Sequence, residues 1–183
     1  MFEVMSLDIN VYLPSILTPD HLPSITRRLA ELGLRCEFPS DFSFRDTGNV
    51  PIVLTLAIGP KEYRDQRFET GFEITLSDFN YAEELHAVRH PPRQGWLNKL
   101  IVGNQQQAAR DFIASREMDK LLETCHHELL INCQEDFLTP FAFAAVIAEL
   151  TDGIIFEPQS GEYSEPKEAL AQISELADDW SPN

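Results

Sequence analysis

One short grammar is written twice in this chain, once towards each end. Residues 17–39 read LTPDHLPSITRRLAELGLRCEFP, and residues 138–158 read LTPFAFAAVIAELTDGIIFEP. Both run from Leu-Thr-Pro through a stretch of helical spacing to a glycine, then to an apolar segment closed by Phe-Pro or Glu-Pro. In the first copy Thr18 suits an N-cap and Pro19 the first helical position, where a missing N–H costs nothing. Leu22, Ile25, Leu29 and Leu32 make one apolar stripe, and Gly33 supplies the left-handed residue that ends a helix. LRCEF then reads as a short strand stopped by Pro39. In the second copy Thr139 is expected to cap and Pro140 to start a helix that Gly153 ends. The segment IIF, residues 154–156, follows as a strand stopped by Pro158.

A strand-like segment precedes each copy, at residues 3–13 and 128–133, rich in β-branched and apolar side chains. The chain is therefore expected to be a single α+β domain over residues 1–183, with two related strand–helix–strand units at about 3–39 and 128–158. Strand–helix–strand connections within one sheet cross over right-handedly, so each unit predicts a parallel or near-parallel pair beneath its helix. The order of elements suggests ferredoxin-like halves.

Between the units, residues 51–59 and 68–76 alternate apolar and polar positions, the pattern of an antiparallel hairpin with one wet face. Ser77 or Asp78 then suits the cap of a helix reaching about His90, and PPRQG, residues 91–95, reads as a linker. Residues 99–124 read as mostly helical, and Glu165–Ala177 as a last amphipathic helix. The tail DDWSPN is expected to fray. Together these elements predict an α+β fold: a mixed sheet of about six strands, with helices mainly on one face and the two units set around the hairpin.

Composition narrows the function classes. The chain is 43% hydrophobic, enough for a proper core, and no apolar run approaches the ~18 residues of a membrane span. The start, MFEVMSLDINVYL, carries two acids and no basic stretch, unlike a secretory signal. Three cysteines, Cys36, Cys125 and Cys133, are too few for a disulfide framework, so a reducing, cytoplasmic setting is expected. Thirty Asp and Glu against fourteen Lys and Arg leave a formal charge of −16. Such a surface repels nucleic-acid phosphates and anionic lipid, and it attracts and steers a basic protein partner. It also keeps a protein soluble.

Catalytic motifs are sparse. The eight glycines form neither GxGxxG nor GxxxxGK[ST], and neither GxSxG nor HExxH occurs. CHHELLINC brings Cys125, His126, His127 and Cys133, all zinc-ligand types, into one run. Structural zinc usually needs a second pair elsewhere, and alternation turns Ile131 and Cys133 towards the core, where cysteine serves as a small hydrophobe. His86 and His90 share a helical face, with Glu83 one turn earlier; histidines at a helix end also complement the dipole. Asp152 with Glu165-Pro166-Lys167 imitates the acid…ExK pattern of metal-dependent nucleases, but Pro166 fits a helix start better. Neither metal nor cofactor is expected.

The stretch AELTDGIIFEPQSGEY, residues 148–163, resembles a segment of small acidic bacterial cytoplasmic α+β proteins, some of which are toxin-immunity proteins. The resemblance implies a bacterial cytoplasmic binding protein, and it carries over no functional residue. With the charge, it gives a non-enzymatic module that masks a basic partner, as an immunity protein masks a toxin. The expected contacts are the acids Glu69, Glu73, Glu83, Glu84, Glu157 and Glu162, with Tyr163 as an aromatic anchor and Tyr81 nearby. The alternatives are a small-molecule-binding protein or an enzyme whose site is assembled from scattered residues, and a subunit of a homo-oligomer. A cleft gathering His86, His90, Cys125 or His127 with acids would favour the enzyme.

Overall fold

The computed structural model describes residues 7–45, 47–90, 110–133 and 136–182. Strand β1, Leu7–Leu13, leads through a 3₁₀ turn at Pro19–His21 into α1, Leu22–Glu31, and β2, Leu34–Glu37. A long hairpin follows, β3 at Gly48–Leu56 and β4 at Arg67–Asp78, then α2 at Tyr81–Arg89 and α3 at Arg116–Leu122. The last elements are β5 (His127–Cys133), α4 (Leu138–Thr151), β6 (Ile154–Glu157), β7 (Glu162–Ser164) and α5 (Pro166–Asp178). Among the described residues no helix is long and apolar enough to cross a membrane.

The strands form one seven-stranded sheet in the order β2-β3-β4-β5-β1-β6-β7, and every neighbouring pair is antiparallel. The α+β class is as the sequence suggests, but the mixed sheet of about six strands is not. In each repeated unit the two strands do run the same way, because an even number of antiparallel steps separates them. They are not neighbours. β1 lies between β5 and β6, whereas β5, β4 and β3 all lie between β1 and β2. The reason is pairing length: β1 and β5 pair over seven residues, and β3 and β4 over eight, so these ladders take the places beside the unit strands. Only the second unit is a pair split by a single strand, so the two halves are not alike.

The sheet has two unlike faces. Ile9, Val11, Leu13, Leu54, Phe72, Ile74, Leu129 and Ile131 point to one face and join the main core beneath α1, α4 and α5. Helix α4 is buried without a break from Leu138 to Ala148, as a helix apolar on every side must be. Its Phe143 meets Phe38, Phe44 and Phe72 at ring separations of 5.5, 6.3 and 5.0 Å. The other face carries a smaller cluster. There Tyr12, Ile154, Phe156 and Tyr163 of the sheet pack with Phe79, Tyr81, Ile113, Met118, Leu122 and Cys125.

Local starts and stops differ from the sequence expectation in ways that follow from these contacts. Helix α4 begins at Leu138, with Thr139 and Pro140 already inside it; the Thr139 N–H is met at 3.4 Å by the carboxylate of Asp136, so the acid rather than the threonine serves this end. Helix α2 is capped by Asn80, not by Ser77 or Asp78, because β4 stays paired with β5 as far as Asp78↔His127. Gly33 is left-handed as expected, at φ +87°. At the other stop Asp152 takes the left-handed turn, at φ 54°. Gly153 is needed for space instead, since a Cβ there would lie 2.7 Å from the carbonyl oxygen of Tyr12.

The C-terminal tail does not fray at its tryptophan. Trp180 is 9% exposed, stands edge-on to Tyr63 and Phe68, and donates its indole N–H to Asp136 at 3.0 Å. Thr70 donates to the same carboxylate at 3.2 Å, so one acid gathers the tail, β4 and the start of α4. The proposed linker at 91–95, and 99–109 of the helical stretch, lie outside the described residues.

Candidate partner-binding cleft

A cleft of about 700 Å³ opens where β4 turns into α2 beside the end of α3 and the start of β5. Four local features build it. The N–H of Phe79 donates to His126 O at 2.8 Å, which carries the β4–β5 pairing past the strand end. The Asn80 side chain accepts from the N–H groups of Ala82 and Glu83 and donates to the Glu83 carboxylate at 2.9 Å, fixing the first turn of α2. The N–H of His126 donates to Leu13 O at 2.8 Å, pinning the turn after α3 to β1. Finally, Asp119 of α3, 3% exposed, accepts from the Tyr81 hydroxyl at 2.7 Å and from the N–H groups of Ile113 and Ala114 at 2.7 and 2.9 Å. Three donors on one buried carboxylate satisfy it and tie α2 to α3.

Asp78, Glu83, Glu84, Glu123 and Glu128 line the cleft with Phe79, Tyr81, Cys125 and His126, and no Lys or Arg is among its described lining residues. The negative field shows in the tyrosines around it. Burial, then Glu128, pushes the Tyr12 hydroxyl far above its ordinary range. Burial, then Asp119, Glu84 and Glu128, pushes Tyr163 up to about 12, and burial with Asp119 does the same for Tyr81. Glu128 accepts a hydrogen bond from the Asn10 amide, so it is held in place from the neighbouring strand.

Of the contacts expected from sequence, Glu83 and Glu84 line this cleft. Tyr163 stands behind it, stacked on Phe156 at 4.4 Å and on Tyr12 at 6.3 Å; Tyr81 is the tyrosine that lines the wall. Glu157 and Glu162 face each other across the β6–β7 hairpin, where burial and Glu162 raise the Glu157 carboxyl. Glu69 and Glu73 lie on β4 and line a separate cleft of about 340 Å³ with Asn49, Pro51 and Gly71. The expected acids thus occupy three places rather than one.

Sequence reasoning missed Asp78, Asp119, Glu123 and Glu128. A signal existed for one of them: with Leu129, Ile131 and Cys133 turned to the core, alternation sets Glu128 on the face shared with Tyr12. The EPQ of the last hairpin also has a structural task. With its amide oriented to satisfy both ends, Gln159 accepts from the Asp8 N–H and donates to Asp8 O at 3.0 Å, so a side chain extends the β1–β6 ladder.

The Cys/His run is not gathered into one site. Cys125 packs in the small cluster and Cys133 in the main core, on opposite faces of the sheet, and His127 Nδ1 meets Asp78 at 3.3 Å. Among the described residues no group of three or more His, Cys, Asp or Glu is placed to hold a metal ion. Asp152, Glu165 and Lys167 do line one cleft of about 570 Å³, together with Arg28 and Glu149. Arg28 is committed there to a two-pronged pair with Glu149, at 2.6 and 2.9 Å. Pro166 opens α5 and Glu165 is its N-cap, so Glu165 and Lys167 straddle a helix start and do not project together from a strand.

In comparisons with known proteins, no family model, no curated protein and no solved structure matches the chain.

Proposed function

We propose that this protein is a cytoplasmic, non-enzymatic binding module that masks a basic protein partner, in the manner of an immunity protein holding a bacterial toxin. The observation that carries the reading is the acidic cleft: five carboxylates around aromatic side chains, with no cation among the described lining residues. A Lys or Arg side chain of a partner entering it would meet Glu83, Glu84 and Glu123 directly and could lie against Phe79 and Tyr81, a cation–π arrangement that gains as water leaves. The overall charge of −16 would draw such a partner in from a distance and speed the encounter.

One observation favours the alternative, a small-ligand site or enzyme: Cys125 and His126 line the same cleft as the acids. Its weight is reduced by the state of the thiol. Cys125 is 2% exposed, its Sγ lies 3.6 Å from Leu121 O, and burial pushes its pKa up to about 11. A nucleophilic cysteine needs the opposite shift.

The test is capture from the native cell with the wild-type protein and with the charge-neutral triple variant Glu83→Gln, Glu84→Gln, Glu123→Gln, all at exposed positions. The expected result is a basic protein in one-to-one complex with the wild type, associating more slowly as salt rises, and lost with the variant. A wild type that captures nothing and turns over a metabolite would overturn the proposal.

A further inference from the structure

We propose that His86 and His90 form a surface site for a transition-metal ion of the copper, nickel or zinc class, clipped across the last turn of α2. This site is separate from the acidic cleft and does not depend on the reading given to it. The two histidines are four residues apart and therefore share one helix face. Both are exposed, and their rings lie 4.6 Å apart between centroids with planes at 55°. The His90 N–H donates to His86 O at 2.8 Å, so the backbone turn that sets the rings side by side is already closed.

That juxtaposition is what a shared ion requires. Imidazole nitrogens bind such ions at about 2.0–2.1 Å, so two ligating nitrogens must come to roughly 3 Å of one another. Rings already this close reach that spacing by side-chain rotation alone. Imidazole suits Cu, Ni and Zn, and Cu²⁺ binds most tightly of the three in a given nitrogen site. Water would fill the remaining positions. The last carbonyls of a helix also present negative potential to a cation. Among charged groups on the same helix, Glu83 lies one turn earlier, engaged with Asn80, and Arg89 lies between the two histidines in sequence and opposes the ion.

Helix α2 buries no residue completely and is anchored at its start by Asn80 and Tyr81. An ion across its last turn would secure the other end of the wall that bears Glu83 and Glu84.

The experiment uses tag-free protein titrated with Cu²⁺ alone, followed by calorimetry and by electron paramagnetic resonance. The expected result is one ion per chain with the signature of two coordinating imidazoles. His86→Gln and His90→Gln should each weaken binding by about tenfold or more, while His126→Gln leaves it unchanged. In parallel, Zn²⁺ should shield His86 and His90 of the wild type from diethylpyrocarbonate, a readout that needs no variant to fold. Equal binding by wild type and both variants, loss of binding in the His126 variant, or absence of shielding would overturn the proposal.

Discussion

Two single carboxylates show how much one side chain can decide here. Asp119 sits in a short helix that sequence patterning alone would treat as a solvated stretch, yet it is buried and takes three hydrogen bonds. Asp119→Ala should cost about 3 kcal/mol of stability, because the Tyr81 hydroxyl and two backbone N–H groups lose their acceptor; Tyr81→Phe, which removes one donor, should cost about 1 kcal/mol. Urea unfolding of the two variants separates these values. Glu157 is the opposite case, an acid whose native carboxyl is raised by burial and by Glu162 opposite. Its native form therefore holds a proton more tightly than the unfolded chain, and it loses stability as pH rises from the ordinary 4.5 through the raised native value. Glu157→Gln is expected to raise the melting temperature at pH 7 and to give no advantage below about pH 4. Glu157 was singled out in the sequence as a contact and Asp119 was not, but the surroundings of neither were legible from spacing, since burial of a charge depends on how the elements pack.

At the scale of elements, the sequence was most informative where a short-range rule acts alone. The stripe Leu22, Ile25, Leu29 and the proline-led start of the last helix depend on helical period and capping, and both helices lie where the pattern put them. The strand neighbours were not legible, because parallel direction within a unit follows from chain handedness while adjacency is a competition between ladders of different length. The stop after α4 shows the same division of labour: one residue turns the chain and the next lets it pass close to β1. Asp152→Gly should stabilise the protein by about 1 kcal/mol by removing a side chain from a left-handed position. Gly153→Ala should instead destabilise it by more than that, since the added methyl meets the Tyr12 carbonyl. If thermal unfolding ranks these two variants the other way, the assignment of roles to the pair is wrong.

Over the whole molecule the acidic excess is the dominant long-range term. A formal charge of −16 on one chain is self-repelling, and salt screens it over a Debye length of about 10 Å at 0.1 M. The melting temperature is therefore expected to rise between 20 and about 200 mM sodium chloride, the range in which partner association should slow; a fall on adding salt would show that local ion pairs such as Arg28–Glu149 and Arg67–Glu37 outweigh the net repulsion. Charge was fully legible in the sequence, whereas its division among three places on the surface was not, because that depends on sheet order.

Among the described residues the sheet closes on neither side, and its outermost strands are β2 and β7, of four and three residues. Where β2 stops short of β3, Pro51 occupies the uncovered stretch of that strand, a residue that sheets admit at their margins. A free margin this brief offers a second chain few backbone groups to zip onto, and repulsion between like-charged copies opposes the approach. Amyloid-like polymerisation through the native sheet is thus discouraged at both ends without the closure of a barrel.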